Sequence, residues 1–308
     1  MILVINLNAS IDKKYEIENI EKGKVMRARN VENTPGGKGL HVANVATILK
    51  EDCIATGLLG GKSGEFIEDK LKDYGIKQDF VKISGETRSC LAIISDDLVQ
   101  TEILEPGPEV SEAELHSFLD KYMDLIKDSN VIVASGSIPR NVSTNYYRNL
   151  IEMANAQGKI FLLDTSGDAL KEGIKGRPYF IKPNKDEIEA LTGRKISSTQ
   201  ETIEEIKRFQ DQGIELVVIS LGAEGSIAGY KGKFYKVSVP NVKAVNPVGS
   251  GDSYVAGIAV GIERGYSIED ILKLASACGT ANAMEKETGF VKKSVVEELM
   301  KKVQVTEI

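Results

Sequence analysis

Val245-Asn246-Pro247-Val248-Gly249-Ser250-Gly251-Asp252-Ser253 is the stretch on which the reading of this chain turns. Pro247 cannot continue a strand interior, while Gly249 and Gly251 allow a tight turn with the backbone close to a ligand. Ala, Ile and Val recur at helix-compatible spacing from Tyr254 to Arg264, so the turn is expected to open a helix. Free N–H groups at such a start, reinforced by the helix dipole, make an anion site. An aspartate inside it competes with the anion for the same donors and is costly unless it has work to do. One reading makes the turn an anion hole for a transferring phosphoryl group, with Asp252 as the base that takes a hydroxyl proton. The plainer reading is a glycine turn with Asp252 as helix cap. The stretch alone leaves both open.

Upstream, strand and helix patterns alternate. β-branched runs at 131–134, 160–164, 179–182 and 215–220 are interleaved with amphipathic patterns at 143–156, 184–192 and 200–212. That rhythm implies right-handed crossovers and a mostly parallel sheet. Residues 2–7 read as a buried strand, with Asn8-Ala9-Ser10-Ile11-Asp12 at its C-terminal end, where α/β proteins place ligand groups. A helix over 40–46, strand 53–59, and helices at 63–73 and 111–127 fit the same scheme. Half-exposed alternating segments at 12–31, and at 88–95 and 99–104, do not; they are expected to pair as a small antiparallel sheet. A hairpin at 226–238 and helices near 250–264, 267–284 and 294–302 complete the chain.

At 308 residues the chain can bury a large core, as one big domain or one domain plus an appendage. Its 42% hydrophobic and 27% charged content is that of a soluble globular protein. A net charge of −6 gives no reason to expect nucleic acid or an anionic membrane as partner. Cys53, Cys90 and Cys278 are scattered and form no C-x-x-C pair, which argues against a disulfide framework or zinc site and fits a reducing cytoplasm. The start turns polar by residue 6 and no apolar run has membrane-spanning length, so neither a leader nor a membrane span is expected.

Two tempting motifs fail on spacing. Gly60-Gly61-Lys62-Ser63 would need a glycine at 56 to be a P-loop, and that residue is Thr56. Gly249-Ser250-Gly251 continues to Tyr254, so the dinucleotide fingerprint is absent. Gly36-Gly37-Lys38-Gly39 either brings amides to a sugar with Lys38 reaching a phosphate, or is a loop with an exposed lysine. Asn184 and Glu187, three apart on a first helical turn, could hold hydrated magnesium or simply form a capping box. Ser220-Leu221-Gly222-Ala223-Glu224-Gly225 could cradle nucleotide phosphates or be a plain turn. His41 and His116 stand in helices with no Cys or Ser partner in view and are not expected to be catalytic.

Taken together, these turns stand in an order that resembles the ribokinase-like (PfkB) family of carbohydrate kinases. Two signatures match: Gly36-Gly37-Lys38-Gly39 with Asn44, and G-x-G-D as Gly249-Ser250-Gly251-Asp252. Within the family, Gly85-Glu86-Thr87-Arg88, Gln100-Thr101-Glu102-Ile103-Leu104 and Ser135-Gly136-Ser137-Ile138-Pro139 are similar to the tagatose-6-phosphate kinases and to their relatives, the 1-phosphofructokinases. The wording leans toward the former. Ala9 departs from the proline that many relatives carry before Ser10-Ile11-Asp12.

The resemblance implies an α/β fold: a ribokinase-like three-layer core of eight to nine strands with a mostly parallel central sheet. It implies one kinase domain over 1–308, with a small β-sheet lid from about 12–31 and 88–104 that doubles as a homodimer interface. It implies transfer from ATP to the C1 hydroxyl of D-tagatose 6-phosphate, giving the 1,6-bisphosphate, or else transfer to fructose 1-phosphate. A non-catalytic sugar-phosphate sensor on the same fold would be expected to lack the base. Asp12, Gly36, Gly37, Lys38 and Asn44 would grip the sugar or its phosphate; Arg88 and Ser137, with Arg27, would hold the phosphate already present. Lys182, Asn184, Ser220, Gly222 and Gly225 would line the nucleotide, with Asn282 near the adenine. Glu187, beside Asn184, would organise Mg²⁺ through water. Amides of Gly249, Ser250 and Gly251 would meet the developing charge while Asp252 takes the proton. Loops at Asn246–Val248 and Glu287–Gly289 could hold K⁺.

Overall fold

The computed structural model describes residues 1–97 and 99–308; Leu98, within the 88–104 stretch expected to help build the lid, lies outside the described residues. The chain begins with β1 (Ile2–Asn6), β2 (Ser10–Glu16), β3 (Asn30–Gly36), α1 (Lys38–Ile48), β4 (Cys53–Gly60) and α2 (Gly61–Asp73). There follow β5 (Lys77–Gln78), β6 (Val81–Ile83), β7 (Arg88–Ile94), β8 (Gln100–Leu104) and α3 (Glu112–Leu125). The middle holds β9 (Val131–Ser135), α4 (Tyr146–Ala156), β10 (Ile160–Asp164), α5 (Gly167–Ile174), β11 (Phe180–Ile181), α6 (Lys185–Thr192) and α7 (Thr199–Gln210). Last come β12 (Leu216–Ser220), β13 (Ser226–Tyr230), β14 (Lys233–Ser238), α8 (Ser250–Glu263), α9 (Ile268–Ala283), α10 (Lys293–Met300) and β15 (Gln304–Glu307).

β1 is central because its apolar run can be covered on both faces. Ile2 and Val4 pack with α1, α8 and α9, while Leu3 and Ile5 pack with α3 and α4 on the other side. All four are fully buried. The large sheet runs β15-β14-β13-β12-β11-β10-β9-β1-β4-β5, with β6 also on β4. It is parallel from β5 to β12 and antiparallel beyond, in a three-layer arrangement with helices on both faces. Among the described residues this sheet has eleven strands rather than eight or nine. The additional ones are edge pieces of two to four residues (β5, β6 and β15), too short to carry a period of two.

A second sheet of four strands runs β3-β2-β7-β8. Its outer pairs are antiparallel, as expected of the alternating segments, but the seam between β2 and β7 is parallel. Both strands leave the C-terminal edge of the large sheet, β2 after β1 and β7 after β6, so they travel in the same direction. Cross-strand partners share a face. One face therefore carries Asp12, Cys90, Ala92, Glu102 and Leu104 and roofs a cleft; the other carries Tyr15, Val31, Leu91, Ile93 and Ile103. Among the described residues no helix is long and apolar enough to cross a membrane.

Candidate active site

Strand ends and helix starts converge under the small sheet on one cleft of about 650 Å³. Asp12, Lys38, His41, Arg88, Ser137 and Asp252 all reach it. At its floor, Gly249 caps α8 in the left-handed region at φ 81°, a conformation that favours glycine. The amides of Gly249, Gly251 and Asp252 have no protein acceptor among the described residues. Ser250 differs from expectation: its amide donates to the Pro247 carbonyl at 3.2 Å, closing the turn that presents its neighbours. No side chain caps this helix, which removes the plainer reading of Asp252. The Asp252 carboxylate instead accepts from His41 Nδ1 at 2.8 Å.

His41 is the residue that the sequence reading passed over. It lies three positions beyond Lys38, one helical turn on, which was the available signal. Burial alone would lower the ring's pKa, but the hydrogen bond and charge of Asp252, with Asp12, outweigh it and raise it. His116, by contrast, is a solvated residue near Asp120.

Under the small sheet, Ser10 Oγ donates to Asp12 Oδ1 at 2.7 Å. Burial is the largest influence on Asp12 and raises its pKa, against His41, Ser10 and Arg88. Gly36 leaves room beside it: a Cβ there would overlap the Asp12 carboxylate and displace that side chain. Arg88 donates to the Glu105 carbonyl at 2.8 Å and to the Asn8 carbonyl at 3.1 Å, which anchor the guanidinium at the cleft wall. Ser137 Oγ accepts from Asn8 Nδ2 at 3.0 Å. Gly37 and Asn44 also border the cleft, but the Asn44 amide donates to the Gly289 carbonyl at 2.9 Å and ties α1 to that loop. Arg27 lies on the β2–β3 connection, exposed throughout 18–29, and does not border the cleft.

Asp164, at the end of β10, was also missed. It sits between Lys38 and Lys182, with each Nζ 3.7 Å from a carboxylate oxygen, and accepts from Ser135 Oγ at 3.2 Å. Burial would raise its pKa, but the two ammoniums and the hydroxyl outweigh it and hold the carboxyl below its usual range. Asp164 in turn is the main cause of the raised pKa of Lys38. Lys182 is buried beside Gly251, so one cation stands against the helix start.

The expected nucleotide turns adjoin this point without lining the cleft itself. Asn184 bridges to Ser220 in a parallel pairing, which sets the 220–225 turn, with Gly222 and Gly225, beside Lys182 and α6. Asn184 and Glu187 form the capping box: Asn184 N donates to Glu187 Oε2 at 2.9 Å, and Glu187 N to Asn184 Oδ1 at 2.8 Å. Among the described residues no three His, Cys, Asp or Glu side chains cluster to hold a metal. Asn282, expected near the adenine, is fully buried, accepting from Gly289 N at 2.8 Å and donating to the Val248 carbonyl at 2.8 Å, so it braces the loop that leads into α8. At Gly60-Gly61-Lys62-Ser63, the helix-start amides of Lys62 and Ser63 already donate to Glu86, in keeping with the failed P-loop spacing.

Comparisons with known proteins give the family and the fold. The sequence matches the pfkB family carbohydrate kinase profile over residues 5–294. It is 42% identical over 314 aligned residues to the tagatose-6-phosphate kinase of Staphylococcus epidermidis, covering all of both chains. The fold is similar to that of phosphofructokinase-2 from Escherichia coli in complex with potassium, at 25% identity, a TM-score of 0.93 and 98% of both chains covered. It also matches Arabidopsis thaliana ribokinase complexed with ribose and ATP, at 20% identity and a TM-score of 0.81 over 97% of this chain and 98% of that one, a likeness of fold alone. With an amide-lined helix start, a buried carboxylate beside it and a family match spanning nearly every residue, this chain belongs to the pfkB family of carbohydrate kinases.

Proposed function

We propose that the chain is an ATP-dependent kinase that transfers a phosphoryl group to the C1 hydroxyl of D-tagatose 6-phosphate, giving D-tagatose 1,6-bisphosphate. The observation that carries this reading is the Asp252 carboxylate standing at the open amides of α8, within the cleft that Arg88 and Ser137 border on its sugar side. Phosphoryl transfer passes through a loose transition state, so the protein contributes alignment and charge stabilisation more than covalent chemistry. The amides of Gly249 and Gly251, with Lys182 beside them, would meet charge on the migrating group. Asp252 would take the hydroxyl proton as the new bond forms. Asp12, Gly36, Gly37 and Lys38 would hold the sugar, and Arg88 its existing phosphate, through a planar fork suited to oxyanions.

ATP would lie along Lys182, Asn184 and the 220–225 turn. Mg²⁺ suits this wall because a hydrated ion needs few protein oxygens. Glu187 Oε1 lies outside the cap contact, and its charge reaches Lys38. The ion would supply neutralisation of the phosphates. K⁺ would be held by the Asn246–Val248 and Glu287–Gly289 loops, which Asn246 Nδ2 joins by donating to Thr288 Oγ1 at 3.3 Å. The whole chain would act as one domain in the cytoplasm, with the small sheet as lid and as the contact of a homodimer.

Fructose 1-phosphate is the second reading, since it also presents a phosphate at one end and a primary hydroxyl at the other. Purified protein with ATP and each sugar phosphate, read by ³¹P NMR of the products, separates them. The expected outcome is a kcat/KM at least about tenfold higher for tagatose 6-phosphate, a difference of ~1.4 kcal/mol. A preference for fructose 1-phosphate reverses the assignment, and no transfer to either sugar leaves the sensor reading.

A further inference from the structure

We propose that His41 is a positioning residue: it grips one oxygen of Asp252 so that the other is held toward the acceptor hydroxyl. This rests on the reading of Asp252 as the base. An ionised carboxylate only accepts, so the 2.8 Å contact requires a proton on Nδ1. That contact uses Oδ2, while Oδ1 has no hydrogen-bond partner among the described residues. A carboxylate rotates broadly about its last torsion, and a base works only within hydrogen-bond reach of its proton. A fixed donor on the far oxygen removes that freedom.

The ring is itself clamped. It is buried on α1, and Gly289 packs so closely that a Cβ there would overlap it. Nε2 lies 3.8 Å from Asp12 Oδ2, beyond hydrogen-bond length. The charged groups around the ring are thus Asp252, Asp12 and Lys38. His41 thereby joins the sugar-binding wall to the base across 211 residues of sequence.

Three substitutions test this, with Asp252→Asn run alongside. His41→Leu should lower kcat about 10- to 100-fold, the range for partners that orient a functional group, with the sugar-phosphate KM within about threefold. In His41→Asn the amide Nδ2 takes the place of Nδ1 and should restore most of kcat. In His41→Gln the nitrogen sits one bond further out and kcat should stay low. Equal losses in all three, tracking thermal midpoint, would mean a packing role and overturn the proposal. So would a His41→Leu enzyme with unchanged kcat when Asp252→Asn is inactive. Full turnover by Asp252→Asn strikes instead at the base assignment. Should His41→Leu fail to fold, ¹⁵N NMR of the unsubstituted protein decides: a protonated Nδ1 is expected, and a bare Nδ1 refutes the grip.

Discussion

Asp252 can serve as cap or as base, and the atoms it touches separate the two. A cap accepts from amides of its own helix; this carboxylate accepts from a histidine on another. Asp252→Asn keeps the volume and one acceptor oxygen but removes the basicity. We expect kcat to fall by two or more orders of magnitude, with sugar-phosphate KM little changed, in a coupled ADP-release assay. Retained turnover would show that the proton leaves by another route. At this scale the sequence singled out residues that the structure brings to the cleft: Gly37, Lys38, Gly249 and Asp252 itself. It did not disclose partners made by packing. His41 meets Asp252 only because α1 lies against α8, and Asp164 meets two lysines only because the ends of β10 and β11 adjoin the start of α1. The buried bracing contacts of Asn282 were hidden in the same way: a polar residue late in a helix looks available until the loop folds over it.

The helix that bears the site is set by its neighbour. Gly257 in α8 faces α9 so closely that a Cβ would lie 2.5 Å from Ala275 Cα and 2.8 Å from its N. Gly257→Ala gains roughly 1 kcal/mol of helix propensity. Overpacking against backbone costs about 1–3 kcal/mol, so the net effect should be destabilising, and displacement of α8 should lower activity as well. A higher thermal midpoint would mean that the two helices can part without strain. At the start of α3, the Glu114 carboxylate closes a capping box with Ser111 and also accepts from Ser84 N at 2.6 Å. Burial pushes its pKa up, but the Ser111 and Ser84 donors outweigh that and bring it down from 4.5 to about 2. A depressed pKa favours the fold above the unfolded value and loses that contribution as pH falls through the folded one. The gap in thermal midpoint between the parent and Glu114→Gln should therefore be full near neutrality and close between 4.5 and about 2; a pH-independent gap would discount the charge. Elements with a long period, such as β1 and α8, were legible in sequence. β5, β6 and β15 were not, because their pairing is imposed by neighbours already in place.

At the scale of the whole molecule, the small sheet has one face over the cleft and one that, among the described residues, is left half exposed. The cleft face meets the site; the opposite face carries Tyr15, Val31, Leu91, Ile93 and Ile103, with Ile103 54% and Val31 48% exposed. Among the described residues no further strand pairs with β3 or β8, and unpaired edges are a form that proteins usually cover or charge. A second copy placed sheet to sheet would bury this apolar face, with each fully covered Ile or Val contributing about 1.5–3 kcal/mol. We expect the protein to sediment at twice the chain mass at micromolar concentration. Ile103→Lys should convert it to single chains, since an unpaired ammonium cannot be buried without several kcal/mol of cost. If the lid is steadied by that contact, the same substitution should raise the sugar-phosphate KM several-fold while leaving the thermal midpoint of the large sheet near its parent value, because Ile103 lies outside both hydrophobic clusters. A parent protein that sediments as one chain, or an Ile103→Lys variant that stays paired, would place the interface elsewhere and leave the apolar face to another role.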